Sequence, residues 1–160
     1  MPYAILTLAL IALDQTVKFF VVKYIPLGGS VEFIPGLLEL TYVQNTGAAF
    51  SIFSEHTWIL TLVSLVLSLV LGLAVVGNFF RHPFGKTAMT LLFAGAVGNL
   101  IDRALLHYVV DMFNPLFMTF PVFNVADICV VVGGIAAAIY YMFFSERIEP
   151  RLKARKKEKS

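Results

Sequence analysis

Four stretches of this chain stay apolar for about twenty residues, the length needed to cross the hydrocarbon core of a bilayer. They run from about Tyr3 to Val22, Thr57 to Gly77, Phe84 to Leu106 and Val122 to Phe144. The first carries Asp14 and Lys18, and the second carries no charge. The third has Lys86 at its start and Asp102 and Arg103 near its end, and the fourth has Asp127 near its start. Between the first two spans, Val31–Ile34 and Leu38–Val43 partly alternate around Pro35-Gly36, which predicts two short strands joined by a turn. The segment 107–121 is rich in large apolar residues (Phe113, Leu116, Phe117, Met118, Phe120) and is expected to lie as a loop on the membrane surface. The pattern predicts an all-α polytopic membrane protein of four transmembrane helices, with a small β-rich element outside the bilayer.

Composition supports that class. The 160 residues are 59% hydrophobic and only 14% charged, too few charges to cover a water-facing surface of this size. A cytosolic enzyme, a nucleic-acid binder and a disordered chain are excluded on that ground. The first span lacks a basic start and a small-x-small cleavage site and holds two charges, so it reads as a retained helix. Cys129 is the one cysteine and cannot form an internal disulfide.

The net charge of +2 divides unevenly along the chain. Residues 146–160 hold seven basic and three acidic groups, and residues 1–145 hold five basic and seven acidic groups. The basic tail and the loop with Arg81, His82 and Lys86 are expected on the cytoplasmic side. The segment Lys23–Glu55 has one Lys against Glu32, Glu39 and Glu55 and reads as extracytoplasmic. Both termini are then cytoplasmic. Residues 1–145 form the membrane domain, with the outer β-rich segment at about 26–50 and the outer loop at about 107–121, and 146–160 form a cytoplasmic tail.

In this topology every aspartate falls in the outer half of the bilayer or at its outer edge. Asp14 lies deep in the first span, Asp102 in the last turns of the third, Asp111 just beyond it, and Asp127 in the first turns of the fourth. An unpaired ionisable group inside the bilayer costs ~2.5–3.5 kcal/mol on insertion scales. Four acids gathered at one level therefore point to a shared polar site. Asp14 and Lys18 share a helix face at i, i+4, and Asn99, Asp102 and Arg103 share one at i, i+3, i+4. Gly95 and Gly98, and Gly133 and Gly134, are expected to let helices approach closely around the site. Simpler readings stand beside these. Asp14–Lys18 can be a mutually neutralising structural pair, Asp102–Arg103 a pin at a helix end, and Asp111 a solvated loop acid. His56, His82 and His107 read as solvated loop residues, and Cys129 as a small buried apolar one.

The chain contains no H-E-x-x-H, no G-x-S-x-G, no Walker A motif and no dinucleotide fingerprint. Carboxylate chemistry remains. Two aspartates in a partly dry site cannot both ionise easily, so one keeps a proton. Such a pair can activate water and polarise an amide carbonyl with no metal and no cofactor.

Five strings, in order, carry a resemblance to the lipoprotein signal peptidases (signal peptidase II). They are Asp14-Gln15-Thr16-Val17-Lys18, Asn45-Thr46-Gly47-Ala48-Ala49-Phe50-Ser51, Gly95-Ala96-Val97-Gly98-Asn99-Leu100-Ile101-Asp102-Arg103, Val109-Val110-Asp111 and Phe123-Asn124-Val125-Ala126-Asp127. The resemblance covers essentially residues 3–145. It implies an aspartic endopeptidase of the bacterial plasma membrane, with the outer segment forming a small extracytoplasmic β-cradle. Asp111 and Asp127 would be the catalytic dyad. Asn45 and Arg103 would hold the substrate backbone, Asn99 and Asn124 would shape the site, and Asp14, Lys18 and Asp102 would support it. The implied substrate is a prolipoprotein carrying diacylglycerol on its lipobox cysteine, cut just before that cysteine. Membrane lipids are the other expected partner, the enzyme is expected to act as a monomer, and no nucleic acid is involved. Met112 follows Val-Val-Asp where the family often has Phe. Two rivals stay open on the residues alone: a small proton-coupled carrier and a non-catalytic assembly factor whose polar residues lock helices together.

Overall fold

The computed structural model describes residues 1–47, 57–77, 79–80 and 82–144. The order is α1 (Pro2–Tyr24), β1 (Ser30–Ile34), β2 (Leu38–Asn45), α2 (Thr57–Val76), α3 (Pro83–Leu106), β3 (Val109–Pro115) and α4 (Val125–Phe143). All four helices are long and apolar enough to cross a membrane. Their outward faces are aliphatic and aromatic, such as Leu8, Phe19, Leu62, Leu73, Val131 and Tyr141, which suits lipid rather than water. The basic tail, Arg81 and His56 lie outside the described residues.

α3 is the hub of the bundle, with α4, α2 and α1 packed against it. The small residues explain why. A Cβ on Gly95 would run into the Ala126 carbonyl and Val130, and one on Gly98 would meet Asp14 Oδ2 at 2.8 Å. Gly133 approaches the backbone of α3 at Leu92 N and Ala88 O in the same way. Gly134 corrects the expectation of a glycine pair, because nothing lies within 4 Å of its missing side chain. At i+1 it turns off the packing face.

The segment 107–121 is not merely a surface loop. Its first half is β3, which pairs antiparallel with β2 to give a three-stranded sheet in the order β1-β2-β3. His107 takes the left-handed conformation (φ 64°) at the end of α3 and reverses the chain into the strand. Period-two alternation then sorts the side chains. Val110 and Met112 join Val21, Ile25 and Tyr42 in a buried core where the end of α1 meets the sheet. Asp111 faces the other way. The strand was hidden in the sequence because its first four residues are all buried, so no polar alternation marks it. The fourth helix also starts later than the apolar run suggests. Phe123 bridges to Phe113 on the sheet, and Asn124 caps the helix from Val125 onward.

The sheet joins the bundle at the end where α1 and α3 finish and α4 begins. The close contact of Gly95 makes a test. Gly95→Ala should lower the thermal stability of the detergent-solubilised protein by about 1–3 kcal/mol. Gly134→Ala should leave it unchanged or slightly raise it, since it fills open space and favours helix.

Candidate active site

α1 supplies the charged floor of the site. Lys18 Nζ lies 2.9 Å from Asp14 Oδ2, one turn earlier, and 3.0 Å from Asp102 Oδ2 on α3. Its third contact is Asn99 Oδ1 at 3.0 Å. The three charged side chains are almost fully buried. Burial of charge is tolerable only when each group is paired and hydrogen-bonded, and here each is. Gln15 adds bonds to Asp14 (3.1 Å), Asp102 (3.0 Å) and the Gly98 carbonyl (3.2 Å). Gln15 was not singled out from the sequence. Its signal was available, as an uncharged polar residue inside an apolar span beside two charges.

Each of the two carboxylates also holds a backbone amide. Asp14 Oδ1 accepts from Ala126 N at 2.9 Å, and Asp102 Oδ2 accepts from Val110 N at 3.0 Å. These amides immediately precede Asp127 and Asp111. Asp102 therefore faces α1, while Arg103 turns toward α2 and donates to Ser64 Oγ at 3.2 Å. Asp102 and Arg103 are not paired with each other, although they are adjacent in sequence.

Asp127 is fixed by helix capping. Asn124 Oδ1 accepts from Asp127 N at 2.9 Å, and Asp127 Oδ2 accepts from Asn124 N at 3.1 Å, the reciprocal pattern of a capping box. Asp127 Oδ1 takes a third bond from Asn99 Nδ2 at 2.8 Å. Asp111 is fixed by the sheet. It pairs with Val43 in register, and Asn45 pairs with Val109, so Asn45 and Asp111 are diagonal neighbours on one face. Asn45 Nδ2 donates to Asp111 Oδ2 at 2.9 Å. A bulge between Leu40 and Val43 sits one step away, a feature that often re-aims side chains beside active sites. Asn124 Nδ2 reaches Asp111 Oδ1 at 2.6 Å. One fully buried asparagine thus contacts both aspartates.

Asp111 is 2% exposed, which rules out a solvated loop acid. Burial pushes its carboxyl up to about 6, against the hydrogen bonds from Asn45 and Asn124, and the neighbouring Asp127 charge adds to the push.

Asn45, Asn99, Arg103, Asp111 and Asp127 line a single cavity of about 720 Å³. Its other wall is apolar, formed by Phe120, Pro121, Val122 and Phe123 and by Ile128, Val131 and Val132 down one face of α4. All nine residues singled out from the sequence converge here, but in two tiers. Asp14, Lys18, Asp102 and Asn124 lie behind the residues that line the cavity. The predicted string at Asn45 runs on to Ala48–Ser51, which lie outside the described residues. His82 departs from expectation. It caps α3 by accepting from Phe84 N at 3.3 Å and stacks on Tyr140 and Phe144 at the opposite end of the bundle.

Known proteins similar to this chain give it a family. The family described as Signal peptidase (SPase) II matches residues 6–144. The chain belongs to the signal peptidase II family. Named lipoprotein signal peptidases agree with it over most of their length. That of Enterococcus faecalis is 41% identical over 138 residues, 86% of each chain. That of Clostridioides difficile is 39% identical over 147 residues, 92% of this chain and 99% of its own. A solved structure of a bacterial membrane enzyme superposes with a TM-score of 0.84 at 30% identity, covering 92% of each chain. Signal peptidase II membership makes the chain a multi-pass bacterial membrane protease and removes the carrier and assembly-factor readings.

The raised Asp111 gives a pH test. A carboxyl with an ordinary value of 3.8 in the unfolded chain and about 6 when folded binds its proton more tightly in the folded state. Its stabilising contribution is complete below about pH 4 and is lost as pH rises through about 6. The melting temperature of the wild type should fall relative to that of Asp111→Asn across this window. Parallel curves for the two proteins would contradict the assignment.

Proposed function

We propose that the protein is an aspartic endopeptidase that removes the signal peptide from diacylglyceryl-modified prolipoproteins, cutting just before the lipidated cysteine. Asp111 and Asp127 are its catalytic dyad. The observation that carries this reading is the pair of carboxylates, one from a strand and one from a helix, tied together by Asn124 and opening on one cavity.

The ionised aspartate takes a proton from water as the water oxygen attacks the scissile carbonyl. The protonated aspartate donates to the carbonyl oxygen and stabilises the tetrahedral intermediate. Collapse breaks the C–N bond, and the leaving amine receives a proton from the dyad. The two acids act as one coupled unit, with one proton shared between them. The chemistry uses no metal and no cofactor.

Arg103 and Asn45, at the cavity wall, supply donors for the substrate backbone. The apolar stripe of Ile128, Val131 and Val132 suits the signal helix or its lipid. The end of the bundle that carries the sheet faces the extracytoplasmic side, where a lipid-modified cysteine sits, and both termini are cytoplasmic. The substrate arrives by diffusion in the plane of the bacterial plasma membrane, and a single copy suffices for the chemistry.

Cleavage of a diacylglyceryl-modified lipobox substrate in liposomes tests the reading. Asp111→Asn and Asp127→Asn should each lower turnover by roughly 10²–10⁴-fold while the protein stays folded. Near-normal turnover in either variant would remove that residue from the dyad.

A further inference from the structure

The buried polar cluster has a direction, and its origin lies outside the dyad. Lys18 has three N–H bonds and three acceptors, Asp14, Asp102 and Asn99 Oδ1. An ammonium can only donate, so the Asn99 carbonyl must face Lys18 and its NH₂ group must face Asp127. The same Asn99 oxygen accepts from Asn124 Nδ2 at 3.1 Å. That turns the Asn124 amide so that its NH₂ group also reaches Asp111 and its oxygen takes the Asp127 amide. Turning the Asn99 amide over would set its one NH₂ group against both the ammonium and the Asn124 NH₂ group, and its oxygen against the Asp127 carboxylate, so donors would face donors in a buried site.

We propose that Lys18 is a positioning residue that touches neither catalytic aspartate but fixes the orientation of Asn99 and Asn124, two of the three asparagine amides that donate to them. Its carboxylate partners complete the device through the backbone, since Asp14 holds the amide before Asp127 and Asp102 holds the amide before Asp111. The inference rests on the dyad reading above. The alternative is that Lys18 only neutralises Asp14 and Asp102.

A triple variant, Asp14→Asn with Lys18→Met and Asp102→Asn, separates the two. It removes the cation together with both charges it balances, and it keeps side-chain oxygens able to hold the Ala126 and Val110 amides. A merely neutralising lysine predicts wild-type turnover in the folded triple variant, and that result would overturn the proposal. Positioning predicts a fall in kcat of roughly tenfold or more with KM within about twofold, because the lost order matters only in the transition state. Should the triple variant not fold, Asn99→Asp serves instead. It retains the contact with Lys18 and still accepts from Asn124, but it has no donor for Asp127. The same loss of kcat is expected, and full turnover in the folded variant would overturn the proposal. A readout free of substrate guards against failure of the functional reading itself. With asparagine side chains labelled with ¹⁵N, Asn99 and Asn124 should each give one set of NH₂ resonances in the wild type. In the triple variant these should split or broaden as the amides turn over, and unchanged resonances would refute the orienting role even if no substrate were cleaved.

Discussion

An ammonium buried between two carboxylates holds this structure together at its polar centre. Lys18 draws Asp14 from its own helix and Asp102 from α3 to one point, and neither acid stops there. Asp14 reaches on to the start of α4, and Asp102 reaches on to β3. α1 thereby meets three elements from the far end of the chain, α3, β3 and α4, within a few hydrogen bonds. In lipid, where helix packing gains little from the hydrophobic effect, such bonds and the close approach of small residues carry the association. Gly95 and Gly98 are the geometric complement of the ion cluster, since any side chain there would push α4 or Asp14 away.

The two catalytic candidates are held by different kinds of structure. Asp127 sits in a capping box, so its position follows from where α4 begins. Asp111 sits in a strand, so its position follows from the register of β3 on β2. Helix start and strand register are set by unrelated forces, and Asn124 is the residue that reconciles them. It is both the cap of one and a donor to the other. A site built in this way tolerates little shift of the sheet relative to the bundle.

Much of this was legible in the sequence, and the limits have physical causes. The four helices followed from runs of apolar residues too long for anything but a membrane span. β1 and β2 followed from alternation around Pro35-Gly36. The convergence of Asp14, Asp102, Asp111 and Asp127 followed from topology, because charge in lipid must find company. β3 did not follow, because Val109–Met112 are buried on both faces and carry no period. The opposite headings of Asp102 and Arg103 were equally unreadable, since adjacent helix residues differ by about 100° in direction and only packing decides which neighbour each meets. Gln15 was overlooked beside two charged residues, although a polar side chain in lipid needs a partner as well.

The spacing of Asp14 and Lys18 also sets them apart from the rest of the cluster. α1 precedes the other described spans, and Asn99, Asp102 and Ala126, which complete its bonds, lie more than eighty residues further along. At i, i+4 on one helix face Asp14 and Lys18 neutralise each other without any other element. The pair thus belongs to α1 alone, and the rest of the cluster is a set of bonds that only the later helices can add.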